Sequence, residues 1–267
     1  MKKLSLFIVM TLMSVLWLTS CLEGSNVEQN VTIGVLDYGN TFEPVLKTNG
    51  GNVYSPNLNT LIALQEMEIG GCYYFQYSLD RDLPENSANA VTANGYFTVT
   101  LLSNPQKIPQ YYLSSYLTDT ASVLPDEIAV LSGCDGMDYV ERRLIMQHTV
   151  SHPSDFELNW SLSYDHSTMM PTEDNGQRYY DLFLRATVSK RGDKTVASEN
   201  TPVNAYNIDN YFEDVAYREK NLLGSSYNSS TSKFNLRINY AAEIDDNQNI
   251  IWKSVIKDIF IVQFLQS

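Results

Sequence analysis

From Asp155 to Tyr164 the chain alternates without a break. Phe156, Leu158, Trp160, Leu162 and Tyr164 fall on one side, and Asp155, Glu157, Asn159, Ser161 and Ser163 fall on the other. A period of two sends successive side chains to opposite faces of a strand, so this segment puts one face in a core and the other in water, the signature of an antiparallel sheet. Long strands are also expected at Arg143 to Val150 and Tyr179 to Val188, and again at Ser232 to Glu243 and Ile250 to Phe264. The last two read as a terminal hairpin across Asp245 to Asn249. Eighteen Tyr and ten Phe, among many Asn, Ser and Thr, agree with strands and turns rather than helices. Only Ile208 to Leu223 reads as helical, with Asp209 as its cap. Two sheets face to face would bury the apolar stripes, so residues 140–267 are expected to form an antiparallel β-sandwich.

The first half carries shorter strands. Val31 to Tyr38 reads as one, ending at Gly39-Asn40. Gly70 to Leu79 is the clearest, with Tyr73, Phe75, Tyr77 and Leu79 on a strongly apolar face. Gly95 to Leu102 pairs with it across the polar loop Asp80 to Asn94, and together these predict a small meander or barrel over residues 31–109. Residues 110–139, broken by Pro125 and the Gly133 to Gly136 cluster, read as a connection between the two β units.

Ahead of both lies an address. Lys2 and Lys3 form a charged start, Leu4 to Leu18 an apolar run, and Leu18-Thr19-Ser20-Cys21 places small residues before a cysteine. Residues 1–20 therefore read as a bacterial lipoprotein signal, with Cys21 as the lipidated mature N-terminus and residues 21–30 as a polar tether. Acyl chains hold a protein to a bilayer by roughly 0.8 kcal/mol per buried methylene, so the membrane partner is reached through the anchor and not by crossing. Ser and Thr interrupt the apolar run and the cleavage motif follows it directly, which disfavours an uncleaved span. Leu22, not Asp, follows the cysteine, and this favours the outer membrane, on its periplasmic or cell-surface side.

The formal charge is −13, and removing Lys2 and Lys3 takes it to −15. Such an excess argues against nucleic acid, whose phosphates need Lys and Arg. After lipidation Cys72 and Cys134 remain, and an oxidising exterior permits a disulfide between them, while a buried thiol is the other reading of each.

The Leu18-Thr19-Ser20-Cys21 lipobox, the Val35 to Asn40 strand and turn, the Glu68 to Tyr74 strand start and the paired late strands together resemble the NigD-like lipoproteins of Bacteroidales. That resemblance implies an OB-fold-like N-terminal domain followed by a β-sandwich, and a protective role of the bacteriocin-immunity kind proposed for the family's founding member. It brings no catalytic residues to carry across.

Tests for chemistry point the same way. His148 and His152 stand four apart on a strand, which puts them about 13 Å from each other, too far to share one ion. With His166 they read as surface or turn residues, so no metal and no cofactor is expected. No Gly-x-Ser-x-Gly occurs, and the carboxylate pairs Asp80 and Asp82, Glu173 and Asp174, and Asp245 and Asp246 sit in loop-like stretches. A non-catalytic binding role follows. For recognition the aromatics are the best candidates: Tyr111 and Tyr112 first, with Tyr116, then Tyr73, Tyr74 and Tyr77. These could anchor a protein partner or stack on a glycan. The alternatives are a glycan-binding or glycan-degrading surface lipoprotein and a structural subunit of a surface assembly.

Overall fold

The computed structural model describes residues 26–265 apart from 41, 57–66, 118 and 168–169; the signal at 1–20, the lipidation candidate Cys21 and residues 22–25 lie outside the described residues. The first unit consists of β1 (Val27–Tyr38), β2 (Pro44–Thr48), β3 (Val53–Pro56), β4 (Cys72–Asp80), α1 (Ala88–Asn94), β5 (Phe97–Leu101) and β6 (Gln106–Lys107). β1 begins at Val27, so the last part of the expected tether is strand.

β1 pairs with β2 and β4, β3 bridges β2 and β5, and β5 returns to β4, closing a five-stranded barrel with β6 added outside. Its filling is the apolar stripe of β4: Tyr73, Phe75, Tyr77 and Leu79 are all buried. The Tyr77 hydroxyl donates to that of Tyr54 at 3.0 Å, so the buried phenols satisfy one another. Gly34 is a fitted position, because a Cβ there would stand 2.9 Å from the Phe75 ring. Part of the expected loop 80–94 is helix. Ser87 caps α1 by accepting from the Ala90 amide, and Gly95, at φ +80°, ends it.

The second unit contains β7 (Gln110–Ser114), β8 (Glu127–Ile128), β9 (Val130–Val140), β10 (Arg143–Pro153), β11 (Glu157–Ser163), β12 (Thr172–Asp174), β13 (Gln177–Lys190), β14 (Ala197–Asn200), β15 (Val203–Asn207), α2 (Tyr211–Leu223), β16 (Lys233–Ile244) and β17 (Ile250–Phe260). Residues 110–139 are not a connection. β7 is an inner strand, parallel to β15 on one side and β11 on the other, and β9 pairs along β10. One half, β9, β10, β14 and β15, is joined through β7 to the other, β11, β13, β16 and β17. The halves face each other: Gly133 of β9 lies so near Tyr240 of β16 that a Cβ would meet its ring at 2.5 Å. β13 and β16 are also parallel, so the sandwich is mixed rather than purely antiparallel. The late hairpin stands as expected in β16 and β17.

α2 closes one end of the sandwich. Tyr211, Phe212, Val215, Ala216 and Glu219 form its buried face, and the Phe212 ring packs on Phe234 and Phe264. Its cap is Asn210, one residue after the expected Asp209, and that side chain makes no capping bond.

A third apolar cluster joins the two units. Val35, Cys72 and Ile108 of the barrel pack with Val140, Ile145 and Ala205 of the sandwich. Polar ties ring it: Asn49 donates to the Asp138 carboxylate, and Arg143 donates to the Gly70 carbonyl at 3.3 Å. Removing apolar surface from water at this junction fixes the barrel against the sandwich, and so fixes whatever lies at its rim.

Candidate binding cleft

At that rim lies a cleft of about 360 Å³. The barrel contributes the Glu68 to Gly71 turn and Lys107, and the sandwich contributes Gln110, Tyr111 and Tyr112 of β7 with Arg143 and Asn207. β7 runs straight on from the barrel through Ile108 and Pro109, so the chain passes from one wall to the other.

The two tyrosines singled out in the sequence are adjacent here and differ in role. Tyr111 points inward, its ring centroid 5.8 Å from that of Tyr206 and its hydroxyl donating to the Leu158 carbonyl at 3.4 Å. Burial raises its pKa. Tyr112, on the other face of β7, is 75% exposed. Tyr116 is exposed beyond the cleft, whereas Tyr73 and Tyr77 fill the barrel and Tyr74 packs at the junction.

The cations also differ. Lys107 pairs with Glu68 at 2.5 Å, and that hydrogen bond raises its pKa. Arg143 contacts neutral acceptors: Nε donates to Gln110 Oε1 at 3.2 Å, Nη1 to the Glu141 carbonyl at 3.3 Å and Nη2 to the Gly70 carbonyl. Sequence reading missed Arg143 because a strand arginine looks like any solvated one. Its only clue was the Gly70-Gly71 pair, which lets backbone and guanidinium approach.

The other sequence candidates lie elsewhere. Cys72 and Cys134 are free buried thiols, one in the junction cluster and one in the sandwich core, so of the two readings the structure shows the buried thiol and not the disulfide. Burial pushes Cys72 up to about 12 and Cys134 up to about 11. His148 is not a surface residue but fully buried, stacked on Trp160 at 4.6 Å. His152 bonds the Pro153 carbonyl. Among the described residues no three His, Cys, Asp or Glu side chains stand together as a metal set.

A smaller cavity of about 240 Å³ lies in the sandwich, lined by Tyr164, Tyr180, Tyr211 and Asp181 among others. Burial alone would raise the Asp181 pKa, but bonds from Arg237, Thr172 and Asn239 outweigh it and hold the group below the usual carboxylate range. That makes Asp181 a fixed anion rather than a proton donor.

Comparison with known proteins fits this architecture. Residues 24–106 match the lipoprotein OB domain. The match ends where the closed barrel and its added strand end. A crystal structure of an uncharacterized protein from Parabacteroides merdae shares the fold at TM-score 0.70 and 19% identity, over 87% of this chain and 99% of that one. A candidate lipoprotein from Bacteroides fragilis does so at TM-score 0.53 and 13% identity, over 86% and 98%. A NigD-like immunity protein from Bacteroides caccae aligns over 87% of this chain and 94% of that one at 12% identity and a TM-score of only 0.42. No curated protein matches. The chain thus loosely resembles lipoproteins of the Bacteroidales, with the OB-type barrel and β-rich second unit that its sequence suggested.

Proposed function

We propose that this chain is a lipid-anchored protein of the outer membrane that works by non-catalytic binding, in a protective role of the NigD-like kind. The cleft carries the binding reading: a rigid apolar junction holds an exposed aromatic ring, a guanidinium and side-chain amides around one cavity. The anchor reading is supported by the position of the OB-domain match, which begins at residue 24, just after Cys21. Cys21→Ser should release the protein from the membrane fraction or leave its signal uncleaved; unchanged fractionation and processing would refute the anchor.

Glycan capture is the second reading, favoured by the exposure of Tyr112 over a polar cleft. A pull-down from intact cells, scored for proteins and for glycans side by side, separates the two. A stoichiometric protein partner supports protection or assembly, and recovered glycan supports capture.

A further inference from the structure

Building on the second reading of the cleft, we infer that it takes a saccharide bearing a carboxylate, with the acid group on Arg143 and a ring face on Tyr112. The argument starts from charge. Lys107 is already neutralised by Glu68, whereas the three hydrogen bonds of Arg143 all go to uncharged oxygens at 3.2 to 3.3 Å. A guanidinium has five N–H donors in a planar fork, so two remain, and that fork matches the two oxygens of a carboxylate. The bonds to Gly70 and Gln110 hold the group in place beforehand, which lowers the ordering cost of binding.

The remaining lining narrows the class. Gln110 and Asn207 offer amides that both donate and accept, which suits hydroxyl groups. Tyr112 presents a mostly exposed ring at the edge of the cleft, an apolar face with a polar hydroxyl at its tip. A peptide fits less well. Within β7, Gln110 to Tyr112 pair with β15 and Leu113 and Ser114 pair with β11, so an added strand would find an unpaired edge of no more than about three residues. The cleft also offers few apolar side chains, Ile69 being the aliphatic one, to receive side-chain anchors.

The test is calorimetric titration of the detergent-solubilised full-length lipoprotein with oligogalacturonate and with its methyl ester, which keeps the ring and removes the charge. The acid should bind, and esterification should weaken it by about tenfold or more. Tyr112→Ala, at an exposed position, and Arg143→Met should each lower affinity for the acid, and Arg143→Lys should restore part of the Arg143→Met loss. Equal binding of acid and ester, or binding untouched by both Tyr112→Ala and Arg143→Met, overturns the carboxylate assignment. If neither saccharide binds while the pull-down returns a protein lost on Tyr112→Ala, the inference fails and the cleft stands as a protein-binding site.

Discussion

The Tyr206 hydroxyl donates to His148 Nε2 at 2.9 Å, deep between the sandwich halves, while His148 Nδ1 donates to the Gly133 carbonyl at 2.6 Å. Both ring nitrogens are therefore used in the neutral imidazole. The Gly133 acceptor comes from a bulge in β9, where the register with β10 jumps between Gln147 and Thr149. Asp135 fastens that bulge by accepting from Ser132 and Thr149.

Burial lowers the His148 pKa from 6.5 to about 4. The unfolded chain thus binds a proton that the folded chain refuses between these values. Stability should be unaffected by this group above pH 6.5 and should fall as pH drops through the window, by up to about 3 kcal/mol. Urea unfolding at a series of pH values checks it, and His148→Gln should flatten the slope. Tyr206→Phe should cost about 1–3 kcal/mol by leaving Nε2 without its donor.

Arg185 and Glu127 form an ion pair whose side chains are 1% and 0% exposed. The guanidinium also donates to the carbonyls of Asp119 and Ser122, and it lies 5.8 Å from the centre of the Trp252 ring. Arg185→Met should destabilise by about 3–5 kcal/mol, because Glu127 is left charged in a dry site, and the double change Arg185→Met with Glu127→Leu should recover part of that loss. Trp252 fluorescence reports the event, since its indole donates to the Thr120 carbonyl in the same loop.

Ile145 and Cys72 lie in the cluster shared by barrel and sandwich. Ile145→Asp should uncouple the units and expose the segment around Ile108 to protease, while each unit keeps its β spectrum. In the native wild type Cys72 and Cys134 should react with a thiol reagent only slowly, and with Cys21 lipidated as proposed denaturant should release two equivalents; a mass unchanged by reduction fits the free cysteines.

Tyr111 and Tyr112 are neighbours with opposite expected behaviour. Tyr111→Ala removes a ring packed on the sandwich core and should cost about 3 kcal/mol or more. Tyr112→Ala should leave the melting transition within about 0.5 kcal/mol of wild type, since its ring is mostly in water. Thermal denaturation of the two variants tests the contrast.

What could be read without coordinates followed the strength of the pattern. The Tyr73 to Leu79 alternation specified the barrel's inner face because each residue is both apolar and correctly spaced. β7 escaped notice because Gln110 to Ser114 is short and mixed, and its two parallel partners lie far along the chain. No local signal encodes a parallel pairing. His148 and Arg185 were misjudged or passed over for a common reason: polar residues on strands look solvated until their partners, Gly133 with Tyr206 and Glu127, are brought in by tertiary packing. The cleft was half legible. Tyr111 and Tyr112 marked one wall, but Arg143 and the Gly70 turn meet them only through the junction.

The early start of β1 sets a working radius. Six chain steps separate Cys21 from Val27, and fully extended they reach at most about 20 Å. Val27 pairs with Asp80, at the far end of β4 from Cys72 and the cleft turn, and a strand of that length spans about 26 Å. With Cys21 held in lipid, the cleft stays within about 50 Å of the bilayer. On the proposed anchoring and binding reading, whatever the cleft takes up must already stand in that thin shell, which would make the protein a short-range sentry of its own membrane patch.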